Sequence, residues 1–324
     1  MSVLITGVAG FIGTNLAKKF VEQKIRVVGI DNYSRGREEN LADLFENEYF
    51  DFYDFDLTDL NLYKSSIRNA FSKEAVTEVW HFAANSDIPA GIENAQVDLA
   101  DTFMTTFNTL EVMKELELKK LMFASSSAVY GDLGDSAIEE NIGPLFPISN
   151  YGAMKLASEA IISAAVESYI DFAYIFRFPN VIGTPATHGV ILDFIQKLKE
   201  TPSILNVLGD GTQQKSYLHV SDLIDAMFTI CERSKLPLNY FNVGAFDDGG
   251  VSVREIAQLV VNEVSPEAII KFGKGSKGWI GDVPKFSYSV DKIRSMGWSP
   301  KLDSRGAMSI AIKQIAYEER GKKY

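Results

Sequence analysis

Residues 2–13 constrain the fold of this chain more than any other stretch. The run SVLITGVAGFIG predicts a short apolar strand, a turn with Gly7, Gly10 and Gly13, and a helix that continues as TNLAKKFVEQ. Glycines let the backbone approach a phosphate closely, and the helix start offers free N–H groups and the positive end of its dipole. The spacing is G-x-x-G-x-x-G instead of the common G-x-G-x-x-G. A turn that merely joins strand to helix is the alternative.

The second apolar strand, IRVVGI, is followed by Asp31. This carboxylate lies about 20 residues past the glycines, where an acidic side chain accepts hydrogen bonds from an adenosine ribose. A carboxylate there also repels a 2′-phosphate, so the pattern favours NAD over NADP. Arg35 and Arg37 lie close by and keep NADP open, and a plain turn residue is the other interpretation of Asp31.

Composition narrows the class of protein. The chain has 324 residues, a formal net charge of −11 and no long basic run, so nucleic acid and anionic membrane surfaces are not expected partners. Cys231 is the only cysteine, which excludes an internal disulfide and a cysteine-rich metal site. No apolar run reaches membrane-spanning length, and the first residues lack the features of a signal peptide. A cytoplasmic enzyme fits these observations.

Strands alternate with helices through the first half of the chain, which predicts a doubly wound α/β fold with a parallel sheet. Residues 78–84 and 120–127 are predicted strands, and a third predicted strand ends near Asp56. Residues 96–116 and 150–168 are predicted long helices. Beyond residue 178, prolines and glycines interrupt the alternation. We expect a dinucleotide-binding domain of residues 1–178 plus about 216–244, and a smaller mixed substrate-binding lobe of residues 179–215 plus 245–324.

Tyr151 and Lys155 are four residues apart on the second of these helices, so they share one face. Tyrosine has an ordinary pKa of about 10, and acting as a base near neutrality requires a depression of about 3 units, or roughly 4 kcal/mol. A lysine one turn away and a positively charged nicotinamide could supply it. Y-x-x-x-K also occurs by chance on solvated helix faces.

Three serines, Ser125, Ser126 and Ser127, end the predicted fifth strand. They lie at the carboxyl edge, where doubly wound sheets bind their ligands. A hydroxyl there could hydrogen-bond a substrate oxygen, and the alternative is a capped strand end without chemistry.

Six motifs occur in a recognisable order: TGVAGFIG (6–13), HFAA (81–84), SSSAVYG (125–131), YGAMK (151–155), RFPNV (177–181) and GDGTQQKSYLHVSDL (209–223). Together they resemble the extended short-chain dehydrogenase/reductase family, specifically its nucleotide-sugar epimerases and dehydratases. The resemblance extends from residue 2 to about residue 300. The run HFAANSDIPAG is similar to that of UDP-glucose 4-epimerases.

The resemblance implies roles for individual residues. Ser126 would contact a sugar hydroxyl, Tyr151 would be the acid/base, and Lys155 would hold the nicotinamide ribose. Asp56 and Leu57 would contact adenine, and residues 82–84 would line the pyrophosphate. The complete set of implied cofactor contacts is Gly7, Gly10, Phe11, Ile12, Gly13, Asp31, Asn32, Ser34, Arg35, Asp56, Leu57, Phe82, Ala83, Ala84, Tyr151, Lys155, Phe178 and Val181.

The resemblance also implies a set of residues that bind the substrate: Ser126, Asn180, His188, Lys215, Lys277 and Asp282. Asn180 matches an asparagine that contacts the substrate diphosphate, whereas His188 either touches substrate or shapes its loop. The chain departs from the family where Lys215 replaces an arginine and where WIGD (279–282) replaces R-P-G-D. Lys277 is expected to supply the positive charge of the missing arginine. A lysine ammonium is a point charge, whereas an arginine guanidinium can donate two parallel hydrogen bonds to a phosphate.

Further departures are Thr102, where the family often has asparagine, and Phe286, whose bulk favours an unsubstituted hexose. The three histidines are too scattered for a metal site, so none is expected.

The resemblance therefore predicts an NAD-dependent nucleotide-sugar 4-epimerase of carbohydrate metabolism, an isomerase acting on a UDP-hexose such as UDP-glucose or UDP-galactose through a 4-keto intermediate. The family implies a homodimer paired through residues 96–116 and 150–168. A 4,6-dehydratase is the main alternative, but Ser127 and Ala128 stand where dehydratases carry Asp-Glu. A sugar reductase, a decarboxylase and a non-catalytic NAD-binding sensor or scaffold remain open.

Overall fold

A computed structural model describes residues 2–71, 75–133, 138–246, 249–275 and 288–321 of the chain. These residues form two compact units. The first comprises residues 1–131, 142–178 and 227–241, and the second comprises residues 132–141, 179–226 and 242–324. Within the described parts, no helix is both long enough and apolar enough to span a lipid bilayer.

The strands, in chain order, are β1 Ser2–Thr6, β2 Arg26–Asp31, β3 Phe50–Asp54, β4 Val76–His81, β5 Lys120–Ser126, β6 Phe172–Phe178, β7 Asn180–Ile182, β8 Ile204–Val207, β9 Gln214–Lys215, β10 Tyr217–His219, β11 Leu238–Asn242, β12 Val251–Ser252 and β13 Ile269–Phe272. The α-helices are α1 Phe11–Glu22, α2 Leu60–Phe71, α3 Ile88–Glu93, α4 Ala95–Asp98, α5 Thr105–Glu115, α6 Asn150–Val166, α7 Val190–Glu200, α8 Val220–Arg233, α9 Val253–Val264, α10 Asp291–Ser295 and α11 Ser304–Arg320. Short 3₁₀ turns cover Glu38–Leu41 and Ser127–Tyr130.

The first unit is built on a seven-stranded sheet in the order β11-β6-β5-β4-β1-β2-β3. Strands β1 to β6 pair in parallel, and their order 3-2-1-4-5-6 is that of the Rossmann fold. Thr6 at the end of β1 lies opposite Ile30 of β2 and His81 of β4, so three carboxyl ends meet at one edge. The doubly wound prediction is confirmed.

Each unit has its own hydrophobic core. In the first unit, apolar side chains of the sheet pack against α2, α5 and α6, with Leu4, Val79, Leu121 and Met113 among the fully buried ones. The second unit packs α7, α9 and α11 around Leu205 and the small two-stranded sheets β10-β7, β12-β9 and β13-β8.

Several strands end earlier than the sequence pattern predicted. Strand β4 stops at His81 instead of residue 84, because Ala83 lies directly against the backbone of Gly7: a Cβ on Gly7 would be 2.7 Å from the Ala83 nitrogen. Strand β3 stops at Asp54, and Asp56 instead accepts from the Thr58 amide at 2.8 Å in a local turn. Strand β5 stops at Ser126, whose side chain accepts from the Ala128 amide.

The predicted continuous helix over residues 96–116 is divided. A π-helical segment, Leu99–Met104, separates α4 from α5. Threonine hydroxyls bond back to main-chain carbonyls here, from Thr105 to Asp101 at 2.8 Å and from Thr106 to Thr102 at 2.8 Å. Such bonds compete with the regular helical pattern. Wide turns of this kind are frequent at functional sites.

Candidate active site

The glycine turn forms a tight cradle at the end of β1. Gly7 has a positive φ of 70°, and a Cβ on Gly13 would come within 2.1 Å of the Gly7 carbonyl oxygen. Gly10 immediately precedes α1, so no side chain covers the first helical N–H groups. Backbone therefore packs on backbone here, and the helix start is left open to an anion.

Asp31 lies buried beside this cradle. Its Oδ2 accepts from the Ala9 amide at 2.9 Å and its Oδ1 from the Tyr33 amide at 2.8 Å. Burial raises the pKa of this carboxyl, while the backbone hydrogen bonds act in the opposite direction. Each carboxylate oxygen has a second lone pair, which can accept from a ribose hydroxyl. Asp54 adds negative charge nearby, which disfavours a 2′-phosphate.

Other adenosine-side residues come together at the ends of β2 and β3. Asn32 donates to Asp56 Oδ2 at 3.2 Å and accepts from the Ser34 amide at 3.0 Å. Leu57 is buried, and its carbonyl accepts from Asn108 at 2.8 Å. The guanidinium of Arg35 pairs with Asp87 at 3.1 Å. The structure thus gathers the predicted adenosine residues on two adjacent loops.

The predicted pyrophosphate wall follows β4. Phe82 donates its amide to the Thr6 carbonyl at 3.1 Å, and the Ala83 amide donates to the Thr6 hydroxyl at 3.3 Å. These bonds hold residues 82–84 against the glycine turn.

Ser126 and Tyr151 meet at the end of β5. The Ser126 hydroxyl lies close enough to the Tyr151 phenol to lower its pKa. Ser149 caps α6 by accepting from the Gly152 amide at 3.1 Å, which sets the start of the helix that carries Tyr151. Lys155 follows one turn later, with its Nζ 5.9 Å from the centroid of the Tyr151 ring. The structure therefore assembles all three predicted catalytic side chains.

The electrostatics of the chain alone keep Tyr151 protonated. Burial raises the pKa of Tyr151 to about 12, although the hydrogen bond from Ser126 lowers it. Burial also lowers the pKa of Lys155 to about 7, although the negative charges of Glu159 and Asp98 raise it. Lys155 Nζ donates to the Ala124 carbonyl at 2.6 Å. The protein groups by themselves therefore do not produce the depression of the Tyr151 pKa that was expected from the sequence.

Two buried carboxylates near this site were not singled out from the sequence. Asp98, at the end of α4, accepts from Asn85 at 2.8 Å through Oδ1, and its charge raises the pKa of Tyr151. Its Oδ2 packs on Gly91 and has no hydrogen-bond donor among the described residues. Glu159 lies one turn beyond Lys155 and pairs with Arg177. The four-residue spacing 151, 155 and 159 could have indicated Glu159, whereas no sequence signal marks Asp98.

Three residues that the sequence predicted to bind substrate belong to the second unit: Asn180, His188 and Lys215. Asn180 donates to the Ser216 carbonyl at 3.4 Å, and the His188 ring shares a 3.0 Å hydrogen bond with Thr187. Lys215 is part of β9, which pairs with β12. Phe178 ends β6 in the first unit, and Val181 pairs with Leu218 in the second. The predictions for Lys277, Trp279, Asp282 and Phe286 lie outside the described residues.

The residues present fit a dinucleotide. The glycine cradle, the open start of α1 and the buried Asp31 supply a diphosphate site and a ribose acceptor. Within the described parts of the chain, no group of three or more His, Cys, Asp or Glu side chains could hold a metal ion. The fold and this site define the chain as a Rossmann-type dinucleotide-binding protein.

Comparison with known proteins specifies the family. Residues 3–244 match the model of the NAD dependent epimerase/dehydratase family, and the chain belongs to this family. It is 30% identical to a putative UDP-glucose 4-epimerase of Methanocaldococcus jannaschii, over 98% of this chain and 99% of that protein.

Two solved structures extend the comparison. A UDP-galactose 4-epimerase is 32% identical with a TM-score of 0.83, covering 98% of this chain and 99% of that chain. The Thermus thermophilus UDP-glucose 4-epimerase in complex with NAD is 27% identical with a TM-score of 0.82, covering 100% of both chains. The family and its NAD-bound members identify the cofactor as NAD.

Proposed function

We propose that this chain is a nucleotide-sugar 4-epimerase with NAD as cofactor, acting on a UDP-hexose such as UDP-glucose or UDP-galactose. The observation that carries the proposal is that the side chains of Ser126 and Tyr151 lie together with Lys155 Nζ 5.9 Å from the Tyr151 ring, and that Ser127 and Ala128 follow Ser126. Epimerisation needs one acid/base group, whereas elimination of water needs further acid/base groups. Neither Ser127 nor Ala128 can serve as one.

Each side chain has a definite role in this proposal. A bound NAD supplies the hydride chemistry at the sugar carbon. Tyr151 removes the proton from the C4 hydroxyl as that carbon becomes a ketone, and returns a proton to the same oxygen when C4 is reduced again with the opposite configuration. Ser126 hydrogen-bonds the same oxygen, and Lys155 holds the nicotinamide ribose and favours the Tyr151 phenolate.

We assign substrate binding to the second unit. Asn180, His188 and Lys215, together with Lys277 and Asp282, are proposed to bind the nucleotide and sugar of the substrate. In the family that the chain resembles, the asparagine that matches Asn180 contacts the substrate diphosphate. Lys215 and Lys277 are proposed to supply positive charge for the same diphosphate. The named activity of the Methanocaldococcus relative supports a UDP-sugar.

The test is an NMR time course of the purified chain with UDP-glucose, and with other UDP- and GDP-sugars in parallel. A C4 epimer that accumulates without mass change or net cofactor use supports the proposal. Loss of water to a 4-keto-6-deoxy sugar, or loss of carbon dioxide from a uronic acid, contradicts it and establishes a dehydratase or decarboxylase.

Tyr151→Phe tests the catalytic assignment. Removing the acid/base hydroxyl is expected to lower kcat at least about 100-fold, since positioned proton transfer contributes roughly that much or more. Tyr317→Phe is the matched control, because Tyr317 is exposed on α11, and it is expected to turn over normally. Equal turnover by the two variants would refute the role of Tyr151 as the acid/base group.

A further inference from the structure

Two loops face each other across the glycine turn. Strands β2 and β4 flank β1 in the sheet, so the segments that leave their carboxyl ends lie on either side of the turn after β1. Arg35 belongs to the segment after β2, and Asp87 to the segment after β4. The Arg35 Nη2 and the Asp87 Oδ2 are 3.1 Å apart. This ion pair therefore spans the carboxyl end of β1.

The carboxylate of Asp87 is held in place by its own surroundings. Its Oδ1 accepts from the Ala90 amide at 3.1 Å and caps α3. The Asp87 amide donates to Asn85 Oδ1 at 2.9 Å, and the Asn85 amide group donates in turn to Asp98 at 2.8 Å. Because these contacts use Oδ1 and the backbone, Oδ2 is presented to Arg35 from a preorganised position.

The loop that carries Arg35 is attached to the glycine turn. A Cβ on Gly36 would lie 2.7 Å from the Ala9 carbonyl carbon, so the two backbones are in direct contact. The Ala9 carbonyl also accepts from the Asn40 side chain at 2.7 Å and from the Arg37 amide at 3.4 Å. The diphosphate of a dinucleotide binds at a turn of this kind. Arg35 thus projects from a backbone that is fixed beside the diphosphate site.

We propose that Arg35 and Asp87 form a clasp across the glycine turn that slows release of the bound NAD. Asp87 is the positioning residue, because its carboxylate restrains the partly exposed guanidinium. The guanidinium brings a positive charge toward the diphosphate, and the ion pair joins the two loops between which the cofactor must leave. Retention of NAD suits a reaction in which the same cofactor takes up and returns a hydride.

The test measures the rate at which NADH dissociates from the protein. Excess NAD displaces the bound NADH, and the change in NADH fluorescence gives the rate. Arg35→Ala and Asp87→Asn are each expected to release NADH about two- to fivefold faster, the range for a partly exposed ion pair. Asparagine retains the cap of α3, so Asp87→Asn removes only the charge. The double variant is expected to match Arg35→Ala, because both changes open the same clasp.

Arg37→Ala is the control, since it removes the same charge two residues along the same loop, and it is expected to release NADH at the wild-type rate. A wild-type rate for Asp87→Asn would overturn the proposal, as would an equal effect of Arg35→Ala and Arg37→Ala. The differences should shrink in about 0.5 M salt, because ion pairs at the surface are screened. The measurement needs no sugar, so its outcome is independent of the proposed epimerase activity.

Discussion

At the scale of single residues, His81 shows how burial sets the protonation state of a group beside the site. Its ring nitrogens share hydrogen bonds with the hydroxyls of Thr6 at 2.7 Å and Thr106 at 3.1 Å. The ring also stacks on Phe123, with centroids 5.9 Å apart. Burial lowers the pKa of His81 to about 3. His81 is therefore a neutral structural link between β1, β4 and α5.

This link makes stability depend on pH in a predictable direction. The unfolded chain binds a proton at His81 below its ordinary pKa of about 6.5, whereas the folded chain does not, so stability falls as the pH falls through that window. Titration of His81 is expected to lower the free energy of unfolding by about 2 kcal/mol between about pH 8 and pH 5. Urea unfolding of the wild type and of His81→Gln would measure it.

Glutamine keeps a neutral hydrogen-bonding side chain but does not titrate. Between about pH 8 and pH 5, the free energy of unfolding of His81→Gln should therefore fall by about 2 kcal/mol less than that of the wild type. Parallel pH profiles for the two proteins would show that His81 is not the titrating group.

At the scale of elements, α6 is tied to the sheet by a buried ion pair. Glu159 accepts from Arg177 at 2.5 Å and from the hydroxyl of Ser125 at 2.5 Å. Arg177 also donates to the Tyr130 hydroxyl at 2.9 Å. The network joins the helix that carries Tyr151 to the ends of β5 and β6. It therefore links the helix that carries Tyr151 to the strand that ends with Ser126.

Removing one charge of this pair should be costly, because the other charge would remain buried without a partner. Glu159→Gln is expected to lower the free energy of unfolding by about 3–5 kcal/mol, measured by urea denaturation. Glu167→Gln, at the exposed end of the same helix, should change it by less than about 0.5 kcal/mol. A double change with Arg177→Gln should cost less than the sum of the single changes. Strict additivity would contradict a coupled pair.

The glycine turn is the second element whose geometry leads to a prediction. A Cβ on Gly13 would meet the Gly7 carbonyl oxygen at 2.1 Å, a backbone atom that cannot rotate away. Gly13→Ala is therefore expected to destabilise the protein by about 1–3 kcal/mol and to weaken NAD binding. Thermal unfolding and NADH titration would measure the two effects.

Gly321→Ala provides the control, since a Cβ there would meet only ordinary contact at 3.8 Å from the Glu318 carbonyl. It should leave both stability and NADH affinity near those of the wild type. If Gly13→Ala bound NADH as tightly as Gly321→Ala, the cradle would not be the diphosphate site.

At the scale of the whole molecule, α5 and α6 leave apolar surface in water. Phe107 of α5 is 41% exposed and Leu99 is 37% exposed. Helix α6 carries Ile162 and Ala165 on its buried side, while Ala160 and Ala164 are exposed. Exposed apolar residues that lie close together on a surface are typical of an interaction site. We propose that a second copy of the chain covers this face in a homodimer.

Sedimentation tests the dimer. The wild type is expected to sediment at twice the mass of one chain at micromolar concentration. Phe107→Glu should dissociate it, because a charge would then be buried at the interface. Phe45→Glu is the matched control, since Phe45 is 42% exposed but lies between β2 and β3. A monomeric wild type, or equal dissociation by both variants, would contradict the proposed interface.

Local patterns predicted much of the fold and of the candidate site. The strand, glycines and helix of residues 2–22 are adjacent in the chain, and Tyr151 and Lys155 share a face because helical spacing requires it. The early end of β4 and the π-helical segment Leu99–Met104 were not predicted, because each depends on a remote partner. Gly7 meets Ala83, and the Thr102 hydroxyl accepts from the Asn85 amide at 3.2 Å.

The amino-acid order was sufficient for the class of fold, the cofactor and the helix that carries Tyr151 and Lys155, since their signals are periodicity, glycine spacing and residue type within short segments. It did not reveal the Arg35–Asp87 clasp, the Glu159–Arg177 pair or the buried Asp98. These join residues of separate loops, strands and helices, and charged residues in a sequence carry no mark of their partners. Which charges meet, and how deeply they are buried, depends on the packing of the sheet and its helices in three dimensions.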